Sequence, residues 1–121
     1  MKEILETLNE AYSYSQRLTS GINNAIKCFE QKEYEKGKDY IVLIIDGISW
    51  LLAIFETTQK EQVEKIEKEN VNEFLEEGIE ALRNKDYRVL KELLEYELME
   101  VVSEWSQKLL YNIQQLEKVE H

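Results

Sequence analysis

Five glutamates in two short stretches, Glu76-Glu77-Gly78-Ile79-Glu80 and Glu92-Leu93-Leu94-Glu95, come nearest to a chemically active pattern in this chain. A cluster of carboxylates with no nitrogen or sulfur ligand is what a hard cation such as Mg²⁺ requires. Most other chemistry lacks its residues. His121 is the sole histidine and the last residue, which leaves no Cys-His or Ser-His nucleophile pair, no histidine phosphotransfer and no Glu-x-x-His di-iron ligand set. The four glycines are scattered and form no phosphate-cradling loop. Cys28 falls on the flank of the first helix without a basic cluster to make it a thiolate, so an inert, semi-buried thiol is expected.

The two glutamate stretches resemble the Glu-Glu-x-x-Glu and Glu-x-x-Asp signature of the all-α nucleotide pyrophosphohydrolases of the MazG type, with Glu95 standing where that family has Asp. The resemblance implies Mg²⁺ held by carboxylates on adjacent helices and hydrolysis of a nucleoside triphosphate. The helical wheel opposes it. At 100° per residue the core face of the third helix centres on Gly78 and Leu82, which turns Glu73, Glu76, Glu77 and Glu80 toward solvent. Glu97 and Asp46 are better placed for partial burial, although Asp46 shares a polar strip with Asp39 and Glu56 and is expected to be wet.

The elements that would position these groups are all helices. Ile4, Leu8, Ala11, Ser15, Leu18, Ile22, Ala25 and Phe29 recur at steps of three and four and predict a helix over about 2–31. Tyr34, Gly37, Ile41, Ile44, Ile48, Leu51 and Phe55 predict a second over about 33–57. Thr58-x-x-Glu61 offers a capping box for a third helix over 58–84. Its first half is so polar that Asn70-x-x-Glu73 is a second candidate start, with a linker before it. Val71, Phe74, Leu75, Gly78, Ile79 and Leu82 supply its core face. Asp86 caps a fourth helix over about 86–118, with a stripe of Tyr87, Leu90, Leu94, Leu98, Val101, Trp105, Leu109, Ile113 and Leu116. The repeated steps of four make that stripe drift around its helix. Phe29-Glu30-Gln31-Lys32-Glu33-Tyr34 and Leu82-Arg83-Asn84-Lys85-Asp86-Tyr87 echo each other at the two short turns. The expected fold is therefore all-α: one domain over 1–121, an antiparallel up-down-up-down four-helix bundle built from two helical hairpins.

Composition agrees with this reading. The 121 residues contain no proline, where average usage of roughly 5% would give about six. A net charge of −10 repels a phosphate backbone and an anionic membrane surface, so neither nucleic acid nor membrane is an expected partner. The N-terminus shows no signal peptide, the Ile41–Phe55 run is interrupted by Asp46, Gly47 and Ser49, and the one cysteine has no internal partner, all of which point to the cytoplasm. The segment from Lys85 to Leu98 is similar to a stretch of small uncharacterised acidic helical-bundle proteins of Gram-positive bacteria, a resemblance that implies no activity.

Helix two is apolar on more sides than a bundle needs. Leu43, Gly47, Trp50 and Ile54 form a second stripe roughly opposite the first. Tryptophan is enriched in binding hot spots, and a glycine lets a neighbouring helix come close. Either this stripe is a contact surface or the connection between Thr57 and Asn70 folds over it. A fainter set, Val89, Tyr96, Met99 and Leu110, lies on the fourth helix. The expectation is a protein without catalytic, metal or cofactor site that acts by protein–protein contact, as a homodimer or with another protein. An adaptor or export-chaperone role belongs to this class, and the Mg²⁺-dependent pyrophosphohydrolase is the alternative.

Overall fold

The computed structural model describes residues 2–120, and among them there are four helices and no strand. They are α1 (Lys2–Glu30), α2 (Tyr34–Thr57), α3 (Asn72–Arg83) and α4 over residues 87–120. Within α4, Tyr87–Glu92 and Met99–Glu120 are α-helical and Leu93–Leu98 is wound as a π-helix.

α1 lies between α2 and α4 and packs against both. Every member of its stripe from Leu8 to Phe29 is buried, and Ile4 is half-buried. Ser15 is the one polar group in that stripe. Its hydroxyl donates to the Tyr12 carbonyl at 2.6 Å and accepts from the Ser106 hydroxyl of α4 at 2.7 Å, which satisfies both groups in the core. In α2, Gly37, Ile41, Ile44, Ile48, Leu51 and Phe55 are buried as their spacing predicts.

The echo between the two turns has a common physical basis. Lys32 N–H donates to Phe29 O at 3.2 Å and Glu33 N–H to Cys28 O at 2.8 Å; Lys85 N–H donates to Leu82 O at 3.2 Å and Asp86 N–H to Ala81 O at 2.8 Å. This is the paired Schellman closure of a helix C-terminus. It places both lysines in the left-handed region, φ 62° for Lys32 and 55° for Lys85. The acids that follow differ: Asp86 accepts from Val89 N–H at 3.2 Å, whereas Glu33 makes no side-chain cap. The two tyrosines stack face to face, Tyr34 on Tyr87, with centroids 4.2 Å apart. Tyr87 also stacks on Phe29 at 5.8 Å, so both turns lie at one end of the molecule.

The third helix does not run over 58–84. It occupies only Asn72–Arg83, and the later of the two starts is the nearer. The Thr58 side chain makes no N-terminal cap; its hydroxyl donates back to Ile54 O, and the residue closes the end of α2 instead. Two 3₁₀ turns, Gln59–Glu61 and Glu69–Val71, bracket an extended strap. The reason is geometric. Phe55 packs edge-on to Trp105 with centroids 5.1 Å apart, and Glu67 O accepts from Trp105 Nε1 at 2.8 Å. The chain must therefore leave and return to one indole within about twelve residues, whereas a helix would carry it steadily away at about 1.5 Å per residue.

On α3, Phe74, Gly78 and Ala81 are buried, but Ile79, expected on the core face, is 50% exposed. α3 packs beside the first half of α4, so its contact is narrower than the apolar set suggests. On α4, Leu90, Leu94, Leu98, Val101, Trp105, Leu109, Ile113 and Leu116 are all buried. Each step of four overshoots a full α-turn by about 40°. The π-helix at Leu93–Leu98 adds a residue to the turn and offsets that drift where the steps of four accumulate.

Candidate functional site

The second stripe of α2 is centred roughly 110° round the helix from the first rather than opposite it, so it flanks the core and meets α1 along part of its length. Gly47 is buried against Tyr14, whose ring and hydroxyl fill the space that a Cβ would need. The close helical approach that a glycine permits is thus made by the chain's own α1. Ile54 is half-buried at the edge of the core. Leu43 and Trp50 remain outside it, 64% and 40% exposed. The strap does not cover them, because it runs over Phe55 toward Trp105 and Asn112.

Together these residues make a groove. Trp50 stands edge-on to Tyr14, centroids 5.3 Å apart at 70°, and the Arg17 guanidinium lies 5.4 Å from the Tyr14 centroid. Between them and Leu43 opens a surface cavity of about 750 Å³, rimmed by Glu10, Arg17 and Asp46. A smaller one of about 170 Å³ continues along the same helix pair past Leu18 and Tyr40. Asp46 is exposed, as its polar strip predicts. Val42, 59% exposed, widens the apolar edge beside Leu43. The spacing of α2 found Leu43 and Trp50; it gave no hint of Tyr14 and Arg17, which sit on the flank of α1 and acquire meaning only when α2 lies beside them.

Of the glutamates in the hydrolase-like pattern, Glu76, Glu77, Glu80, Glu92 and Glu95 are exposed. Glu80 pairs with Arg83 at 3.2 Å and Glu95 faces Lys91 at 3.9 Å. Only Glu77 joins a group, with Glu73 and with Glu97 of the π-helical turn, their carboxylate oxygens within 4.8 Å of one another. The Glu77 carboxyl is held above its ordinary value, first by its hydrogen bond with Glu73, then by desolvation and repulsion from Glu97. Glu97, half-buried, is where partial burial was expected.

Cys28 is buried and free of any disulfide. By length and composition α2 is sufficient to cross a membrane, with an 18-residue window of mean hydropathy 1.8. The helix as a whole is longer than its Ile41–Phe55 run, and it turns one buried face to the rest of the chain. On α4, Tyr96 and Leu110 are exposed while Val89 and Met99 pack at the core's edge, so they form no continuous face.

Neither the curated proteins nor the solved structures contain a match to this chain. Residues 6–108 match a family described as a domain of unknown function, DUF8042, a span that runs from Glu6 in α1 through α2 and α3 to Lys108 in α4. With most of its length inside that match, the chain belongs to the DUF8042 family.

Proposed function

We propose that this protein is a non-enzymatic antiparallel four-helix bundle of up-down-up-down order that works by protein–protein contact, with a second copy of itself seated on the α1–α2 groove. The order of residue pairs supports the antiparallel course. Tyr14 meets Gly47 and Trp50, while Phe29 meets Gly37; Ser15 meets Ser106, while Glu30 meets Lys91. In both comparisons a later residue of α1 pairs with an earlier one of its neighbour.

The observation that carries the contact reading is Trp50, part exposed and edge-on to Tyr14 in the wall of an apolar groove. A soluble chain gains by covering such a patch, and tryptophan is the residue type most often decisive in an interface. The rim favours a second copy because it holds both signs, Arg17 with Glu10 and Asp46. A two-fold contact puts the same patch on both sides, so the guanidinium of one copy can face the carboxylates of the other. An adaptor or export-chaperone role rests on the bundle architecture alone. The alternative hydrolase would have to work through Glu73, Glu77 and Glu97 in place of the five glutamates of the pattern.

Sedimentation velocity over a concentration series, paired with thermal melts, tests the reading on wild type and Trp50→Glu. Burying a large apolar side chain contributes about 1.5–3 kcal/mol, so the wild type should sediment as a dimer and the variant as a monomer of equal helicity. A wild type that stays monomeric at the highest concentration overturns the proposal.

A further inference from the structure

The strap between α2 and α3 is held differently from every helix in the molecule. Over Gln62–Lys68 those backbone groups that are hydrogen-bonded have side chains as partners. Asn112 Oδ1 accepts from Glu64 N–H at 2.9 Å, and Asn112 Nδ2 donates to Glu64 O at 2.8 Å. Trp105 Nε1 donates to Glu67 O at 2.8 Å. Gln62 Oε1 accepts from Ile66 N–H at 3.0 Å, while its Nε2 donates back to Phe55 O at 3.0 Å and to Thr58 Oγ1 at 3.1 Å. One apolar side chain, Ile66, anchors the segment in the core; Val63 faces outward and is 57% exposed. Beneath the strap lie the edge-to-face rings of Phe55 and Trp105 and a cavity of about 210 Å³ bounded by Phe55, Gln62 and Ile66.

Few buried apolar contacts and a backbone tied by side chains mark a segment that opens at lower free energy than its surroundings. Asn112 is fully buried, and its remaining amide bond, to Lys108 O at 2.9 Å, lies within its own helix. The helix carrying the pin therefore stays intact when the strap leaves it. We infer that Gln62–Lys68 is a latch, pinned by Asn112, that opens as a unit without unfolding the helices and uncovers the Phe55–Trp105 pair. This is independent of the groove between α1 and α2, which lies on another face of α2.

Amide hydrogen exchange on the full-length chain, followed against low concentrations of urea, tests the latch. In the wild type, Glu64 and Ile66 amides should be protected, yet exchange faster than those of Leu94 and Leu109 and with a weaker dependence on urea. Asn112→Ala removes the pin, and loss of its two bonds to Glu64 should speed exchange at Glu64 and Ile66 roughly ten- to a hundredfold, with Leu94 and Leu109 little changed. Ile66→Ala removes the anchor without touching α4 and should act the same way, which keeps the test sound if Asn112→Ala weakens the bundle. Acrylamide should quench Trp105 more readily in both, against a Trp50→Phe background that isolates its emission. The latch is overturned if Glu64 is unprotected in the wild type. It is equally overturned if Glu64 and Ile66 share the rate and urea dependence of Leu109, or if both variants accelerate all four amides alike.

Discussion

A Cβ added to Gly47 would fall 2.8 Å from Cζ of Tyr14 and closer still to its hydroxyl, so the ring of one helix occupies the side-chain position of the next. The same ring supports Trp50. The packing of α1 on α2 and the wall of the groove therefore depend on one pair of residues.

Gly47→Ala should consequently destabilise the chain even though alanine favours helix by about 1 kcal/mol over glycine. The tyrosine must swing out, and overpacking of this kind costs about 1–3 kcal/mol. A denaturant melt should show a net loss of up to about 2 kcal/mol, with a change in Trp50 emission. Adding Tyr14→Ala should make the Gly47→Ala change favourable, because the clash has gone. Additive effects in that double-mutant cycle would refute the account.

Lys32→Gly and Lys85→Gly should each stabilise the protein. Both lysines hold a positive φ that a side chain disfavours by about 1 kcal/mol. Urea titration should show a gain of about 0.5–1 kcal/mol for each variant. A loss at either position would mean that the lysine side chain contributes more than its backbone conformation costs.

The buried hydroxyls of Ser15 and Ser106 should behave as a unit. Ser15→Ala strands the Ser106 donor and should cost about 1–2 kcal/mol, while the double alanine variant should lie closer to the wild type. Melts of the two single variants and the double variant decide this, and strictly additive losses would contradict it.

Stability should also depend on pH through Glu77. Its folded-state carboxyl binds a proton more tightly than in the unfolded chain. Its contribution is therefore fully present below the ordinary carboxyl value of 4.5 and is lost as pH rises through the raised folded value. Melting temperatures measured across that window should fall more steeply for the wild type than for Glu77→Gln. Parallel curves would mean that the contact with Glu73 and Glu97 does not persist in solution.

Much of the architecture follows from information local to the chain. The steps of three and four in α1 and α2 name their buried residues almost completely, because a helix repeats every 3.6 residues whatever it packs against. The two turns were legible for the same reason, since a helix end closes through bonds spanning five residues or fewer. The candidate groove was legible in half: Leu43 and Trp50 betray themselves as apolar residues on the wrong side of a helix. Tyr14 and Arg17 do not, for nothing in α1 announces which helix will lie beside it.

The strap marks the limit most clearly. Glu61, Lys65, Glu64 and Lys68 have the i, i+4 spacing of a helix, worth only a few tenths of a kcal/mol per pair. Those local preferences lose to Asn112 and Trp105, which lie 48 and 38 residues from the backbone groups they hold. The meeting of Glu77 with Glu97, the stacking of Tyr34 on Tyr87 and the filling of Gly47 by Tyr14 are of the same kind. The sequence determined by itself the helical course of α1, α2 and α4 and the apolar stripe of each, since both are properties of neighbouring residues. Which faces meet, and where the polar connection must lie, were decided by tertiary packing, because those contacts join residues whose separation no local period encodes.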